Sequence, residues 1–182
     1  FVFLNYAADI KYAAALAQDG PEKAITGIVK AIKLNNNDDR FYRSSSQLFL
    51  VVLSKELGSK PVKDDNEKNT RIQNYLSSAV GLAQKAVQTA PDESSNWANL
   101  GNIYHNLMRF VEGADTLAES SYLKASELRP GDPSFYNSIG GMYLVKADIL
   151  WQLAISNSGS AQQFNQQAND SLAKAEDAFK KA

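Results

Sequence analysis

The side chains of this protein whose types and spacing suit chemistry are amides and arginines rather than nucleophiles. Arg40, Arg43 and Gln47 follow one another at three- and four-residue steps, as do Asn99, Asn102 and Asn106, with His105 beside them and Asn137 further on. Such steps set side chains on one face of a helix. Asparagine is a poor helix former, so a mid-helix row of it needs a reason other than propensity. A side-chain amide both donates and accepts hydrogen bonds, which suits an extended peptide main chain, and a guanidinium suits a carboxylate. The chemistry on offer is recognition. The plainer reading is a polar face wetted by solvent.

Catalysis is poorly served. His105 is the only histidine and there is no cysteine, so the common nucleophile–base pairs, disulfides and thiolate metal sites are excluded. No glycine-rich phosphate loop follows a strand, and no strand is evident. Glu112, Asp115, Glu119 and Glu127 are spaced like solvated helix charges. The cluster Asp64-Asp65-Asn66-Glu67 lacks the alternating acids of a calcium loop and reads as a helix cap. The expectation is a non-enzymatic protein with no cofactor and no metal. A net charge of −1 and sparse basic residues along the amide rows exclude a nucleic-acid partner.

The elements that must carry these rows are helices. The 182 residues are 44% hydrophobic and 21% charged, ordinary values for a chain that buries one core or one continuous array. Ala-rich helical spacing runs from Asn5 to Gln18, and Asp19-Gly20-Pro21 ends that helix and starts the next. Ala24, Ile28 and Ala31 continue the second helix, and Tyr42, Ser46 and Phe49 mark a third. Ala79, Ala83, Ala86 and Pro91 close a fourth, with 29 residues between Phe49 and Ala79 and a turn or disordered excursion around Gly58 to Lys68. Pro91-Asp92-Glu93-Ser94 caps the next helix, Gly113 marks its bend, and Asn157-Ser158-Gly159-Ser160 turns the last pair. The longest apolar run, Leu48 to Leu53, is far short of the roughly 20 residues that cross a bilayer. Phe1-Val2-Phe3-Leu4 is expected to be the buried first turn of a helix or the tail of an apolar segment upstream.

The stretch Trp97-x2-Leu100-Gly101-x2-Tyr104, followed by Ala118-x3-Tyr122-x2-Ala125-x4-Pro130, resembles a tetratricopeptide repeat, a unit of about 34 residues made of two antiparallel helices. Gly101 and Ala118 are expected where the helices come closest, with Trp97, Leu100, Tyr104 and Tyr122 filling the space around them. Tyr136-x2-Ile139-Gly140-x2-Tyr143 with Ala175-x3-Phe179-x2-Ala182 repeats the pattern across 31 intervening residues. The resemblance implies an all-α, right-handed superhelix of about four antiparallel helix pairs, two of them elongated. It forms a single array over residues 1–182, with repeats near 5–38, 39–93, 94–132 and 133–182. The lengthened turns are expected along one edge. It also implies a scaffold that binds a protein or peptide partner through its concave groove, lined by Arg40, Arg43, Gln47, Asn99, Asn102, Asn106 and Asn137. Uncapped terminal faces make self-association a further expectation.

A narrower likeness lies in Phe41-Tyr42-Arg43-Ser44-Ser45-Ser46-Gln47-Leu48-Phe49-Leu50, Asn96 to Tyr104 and Val111-Glu112-Gly113-Ala114. These segments resemble C-terminal repeat regions of bacterial O-antigen ligase-like membrane proteins. That resemblance implies an extracytoplasmic accessory or docking domain of a cell-envelope polysaccharide ligase or polymerase, tethered to the membrane by an upstream segment.

Overall fold

A computed structural model of the chain describes residues 2–59 and 66–182. The described residues form eight α-helices and no strand. They are α1 Val2–Leu16, α2 Pro21–Leu34, α3 Asp39–Gly58, α4 Asn66–Thr89, α5 Ser94–Leu107, α6 Ala114–Leu128, α7 Pro133–Ser156 and α8 Ala161–Lys181, with a short 3₁₀ turn Ser158–Ser160 before the last. The expected loop residues Lys60 to Asp65, including the first two acids of the Asp64–Glu67 cluster, lie outside the described residues.

Two compact units divide the chain, Phe1–Asp92 and Glu93–Ala182. In the first, α1 packs on α2, α2 on α3 and α3 on α4. In the second, α5 packs on α6, α6 on α7 and α7 on α8, and α5 also reaches α7. Each unit thus holds two helical hairpins, the second longer than the first.

Helix boundaries follow local chemistry. Gly20, with φ of 94°, takes a conformation that side chains disfavour and lets Pro21 open α2. Asp38, Glu93 and Asp132 each accept a hydrogen bond from the backbone N–H two residues on, capping α3, α5 and α7. Gly113, with φ of 74°, precedes α6 where the sequence places the bend.

The core of the first unit gathers Ala8, Ala15, Ile28, Ala31 and Phe41, with Tyr12, Ile32, Leu34 and Leu48 against it. The ring of Tyr12 lies 4.8 Å from that of Phe41, and its hydroxyl bonds the Ser44 hydroxyl at 2.6 Å. Ser46, the expected small contact residue, is fully buried and donates to the Arg43 carbonyl at 2.7 Å. In the second unit Leu100, Ile103, Tyr104, Leu107, Ala118, Tyr122 and Ala125 are buried on α5 and α6. Ala147, Leu150 and Ala168 form the core between α7 and α8.

Small residues set how closely helices approach, though not with the expected partners throughout. A Cβ on Gly101 would stand 2.8 Å from the Tyr122 ring, so the space left by this glycine holds one of the aromatics expected to fill it. Gly140 does the same for Phe179, where a Cβ would meet ring atoms at 2.5 Å. In the first unit the small pair is Gly27 and Ala15, 2.5 Å from such a Cβ to the alanine methyl. The glycine there is on the second helix of the hairpin. Phe3 and Leu4 are helical but not buried: Phe3 is 80% exposed. For Phe3 and Leu4 the expectation of a buried first turn fails, because the face of α1 that carries Phe3 is turned away from the one that Ala8 and Ala15 bury in the core; Phe1 and the side chain of Val2 lie outside the described residues.

Candidate partner-binding face

The amide and arginine rows fall on α3, α5 and α7, and the structure treats them unequally. On α3, Arg40 is held by its neighbours. Its guanidinium donates to Asp38 at 2.5 Å and to Asp9 of α1 at 2.7 Å. The hydrogen bond to Asp38, with the charges of both acids, holds it still more firmly in its charged form. Arg43 pairs with Asp39 one turn earlier at 2.9 Å. Gln47, one turn further along, is exposed and makes no side-chain hydrogen bond among the described residues. The α3 row is an ion-paired surface in which each cation has already met a carboxylate.

The α5 row divides. Asn99 is buried, 4% exposed, and so stands apart from the open part of the row. Asn102 and Asn106 are exposed and linked: the Asn106 amide donates to the Asn102 carbonyl at 2.8 Å and to its side-chain oxygen at 3.2 Å. The Asn102 side chain also bonds the Tyr122 hydroxyl. Burial pushes Tyr122 up to about 12, the Asn102 bond opposing it. His105 is half-buried, and desolvation lowers its pKa, favouring neutral imidazole. On α7, Asn137 is exposed and makes no side-chain hydrogen bond among the described residues.

Sequence reasoning missed how this row continues. Arg109, three residues past Asn106, donates to Asp148 at 2.5 Å and to Gln152 at 2.9 Å on α7. The fork ties the turn after α5 to α7. The signal was available: Asn102, Asn106 and Arg109 keep the same four- and three-residue step. It was obscured because Arg109 lies past the helix end, in the turn before α6.

The acids read as solvated are also partly structural. Asp115 of α6 accepts from Lys146 of α7 at 2.5 Å. Burial pushes its carboxyl up, but the hydrogen bond and charge of Lys146 prevail and hold it below the usual carboxylate range. Glu119 bonds the Tyr143 hydroxyl, whose pKa burial and that carboxylate both raise. Among the described residues no group of three or more His, Cys, Asp and Glu is placed to hold a metal ion. What the α5–α7 face can do is hydrogen-bond: it exposes the amides of Asn102, Asn106 and Asn137 and an Arg109 guanidinium already paired with Asp148.

No sequence family and no curated protein matches the chain. Solved structures do. A thermophilic tetratricopeptide-repeat protein of Thermus thermophilus, TTC0263, superposes with a TM-score of 0.55 at 18% identity, over 97% of this chain and 79% of its own. Two crystal structures of MamA give TM-scores of 0.50 and 0.51 at 17% identity, over 88% of this chain and 70% and 65% of theirs. The fold is tetratricopeptide-repeat-like. The helix pairs α1/α2, α3/α4, α5/α6 and α7/α8 are its repeats, and the amide and arginine rows were expected on the first helices of the last three, α3, α5 and α7. The likeness to O-antigen ligase-like proteins finds no support in these comparisons.

Proposed function

We propose that the protein is a non-enzymatic interaction scaffold that binds an extended segment of a partner protein on the first helices of its repeats, in the second unit along α5 and α7. The exposed line Asn102–Asn106–Arg109 after and along α5, tied to Asp148 and Gln152 on α7, carries this reading. Its amides offer donors and acceptors that complement a peptide main chain, and Asn137 has its full hydrogen-bonding capacity open. On the first unit, Gln47 is open in the same way, whereas recruiting Arg40, Arg43 or Arg109 requires a ligand carboxylate to displace Asp9, Asp39 or Asp148.

A photo-crosslinking amino acid at position 106, with a control at the exposed Lys124 on α6, tests the proposal in extracts of the source cell. A protein captured from position 106 and lost on Asn102→Ala with Arg109→Ala supports it. Equal capture from both positions, or capture indifferent to the double substitution, contradicts it.

A second reading, self-association, has one observation behind it: Leu144, Trp151 and Ile155 lie at helical spacing on α7 and are all exposed. A mass measurement across a concentration series separates it from the first. The accessory-domain role in the cell envelope has the sequence resemblance alone behind it, and a membrane-fraction partner crosslinked at position 106 is the result that favours it.

A further inference from the structure

The least covered helix of the first unit is α1. Phe3, Leu4, Tyr6, Ile10 and Leu16 are each about half or more exposed. Phe3, Ala7, Ile10 and Ala14 follow at four-, three- and four-residue steps, which makes them one stripe along the helix. The only charges on α1 are Asp9 and Lys11. Asp9 is engaged by Arg40.

The stripe borders a groove. Lys11, Ala14 and Ala15 of α1, Gln18 in the turn after it, and Glu22, Lys23, Thr26, Gly27 and Lys30 of α2 enclose a shallow volume of about 480 Å³. Its floor is small and apolar because Gly27 and Ala15 bring the two helices together. Its rim is basic. Lys11, Lys23 and Lys30 form no ion pair among the described residues. Two acids stand at one end: Glu22, neutralised by Lys55 at 3.2 Å, and Asp19 in the turn. An aromatic and aliphatic stripe beside a ridge of free lysines is the pattern of a surface that lies in the headgroup region of a bilayer. Apolar side chains enter the acyl boundary while ammonium groups meet anionic phosphates, each lysine strengthening the attraction. No described helix is long and apolar enough to cross a membrane, so such contact would be made by a face.

We propose that the α1/α2 face, through Phe3, Ile10, Lys11, Lys23 and Lys30, binds an anionic phospholipid surface. It is a different face from the amide row, and its test does not depend on that reading. The alternative occupant, an acidic amphipathic helix of a partner protein, also satisfies the lysines, and the test below tells it from a bilayer.

The full chain is sedimented with vesicles of phosphatidylglycerol and phosphatidylcholine in equal parts, and with vesicles of phosphatidylcholine alone. Two variants accompany it, Lys23→Glu with Lys30→Glu and Phe3→Ser with Ile10→Ser. All four positions are exposed, so circular dichroism melts should match wild type. The expected result is binding to the anionic vesicles only, weakened by added salt and by about tenfold or more in either variant. A protein that ignores the anionic vesicles, or binds them equally after either double substitution, overturns the proposal. So does one that ignores them but binds a synthetic helix of Glu-Ala-Ala-Leu repeats, which would assign the face to a protein partner.

Discussion

The two units build the same helix pair from different small-residue contacts. In the first, Gly27 meets Ala15, small against small, so backbone approaches backbone. In the second, Gly101 and Gly140 each lie under an aromatic ring, Tyr122 and Phe179, so a large knob fills the space the glycine leaves. Their polar residues differ in parallel. The first unit neutralises its arginines on α3 with Asp9, Asp38 and Asp39, whereas the second exposes amides and joins its helices through Arg109 with Asp148 and Lys146 with Asp115. A glycine in this architecture is therefore not interchangeable between units: its tolerance depends on whether a backbone or a ring end stands over it.

The largest expected effect breaks the aromatic contact. Gly101→Leu must displace Tyr122, which is 2% exposed and has nowhere to go, and overpacking of this kind costs roughly 1–3 kcal/mol or more. A lowered melting temperature checks it, and an unchanged melt would remove Gly101 from the contact.

A matched pair of alanine substitutions sharpens the comparison. Gly27→Ala meets the Ala15 methyl at 2.5 Å and its Cα at 3.1 Å, so the helices must part and the protein loses about 1–2 kcal/mol. Gly140→Ala meets the far edge of the Phe179 ring, which is 43% exposed and able to swing outward. There the gain of up to about 1 kcal/mol from replacing a mid-helix glycine offsets the shift, and the melt stays near wild type. Equal losses at the two sites would dissolve the distinction between the units.

Charges come next. Asp115→Ala leaves Lys146 without its partner, and because both side chains keep partial solvent contact the cost is about 1 kcal/mol. Urea melts of Asp115→Ala, Lys146→Ala and the double substitution measure the coupling directly.

His105 contributes a smaller, pH-dependent effect. Its folded-state pKa lies below the ordinary value, so the unfolded chain takes up the proton first as pH falls. Stability is therefore full above about 6.5 and declines as pH drops below it. Melts of wild type and His105→Gln at several pH values should converge in shape above neutrality and diverge below, wild type losing more. The smallest expected effect is none: helix content before and after a chelator should coincide.

Much of the architecture was legible from punctuation and period. Gly20-Pro21, Gly113 and the capping acids mark helix ends, and the steps of small and aromatic residues mark which faces pack. Those signals are local, a few residues wide, and depend on backbone conformation and side-chain direction within one helix. The site was legible only as a set of candidates. Asn99 and Asn102 share one helix and one spacing, yet the first is buried and the second exposed. Arg40 and Arg43 read as open cations, yet one finds Asp9, 31 positions earlier.

By itself the sequence determined that this protein is a set of helical hairpins, without cysteine chemistry and with polar rows on its first helices. Only the tertiary structure decided that Tyr122, among the four large residues expected nearby, lies directly over Gly101, that Arg109 bonds to α7, and that Phe3 and Ile10 stay uncovered. The reason is physical. Periodicity states which side of a helix is apolar, but which residue meets it depends on the separation and register of helices far apart in the chain, and those distances are set by how whole side chains fit together.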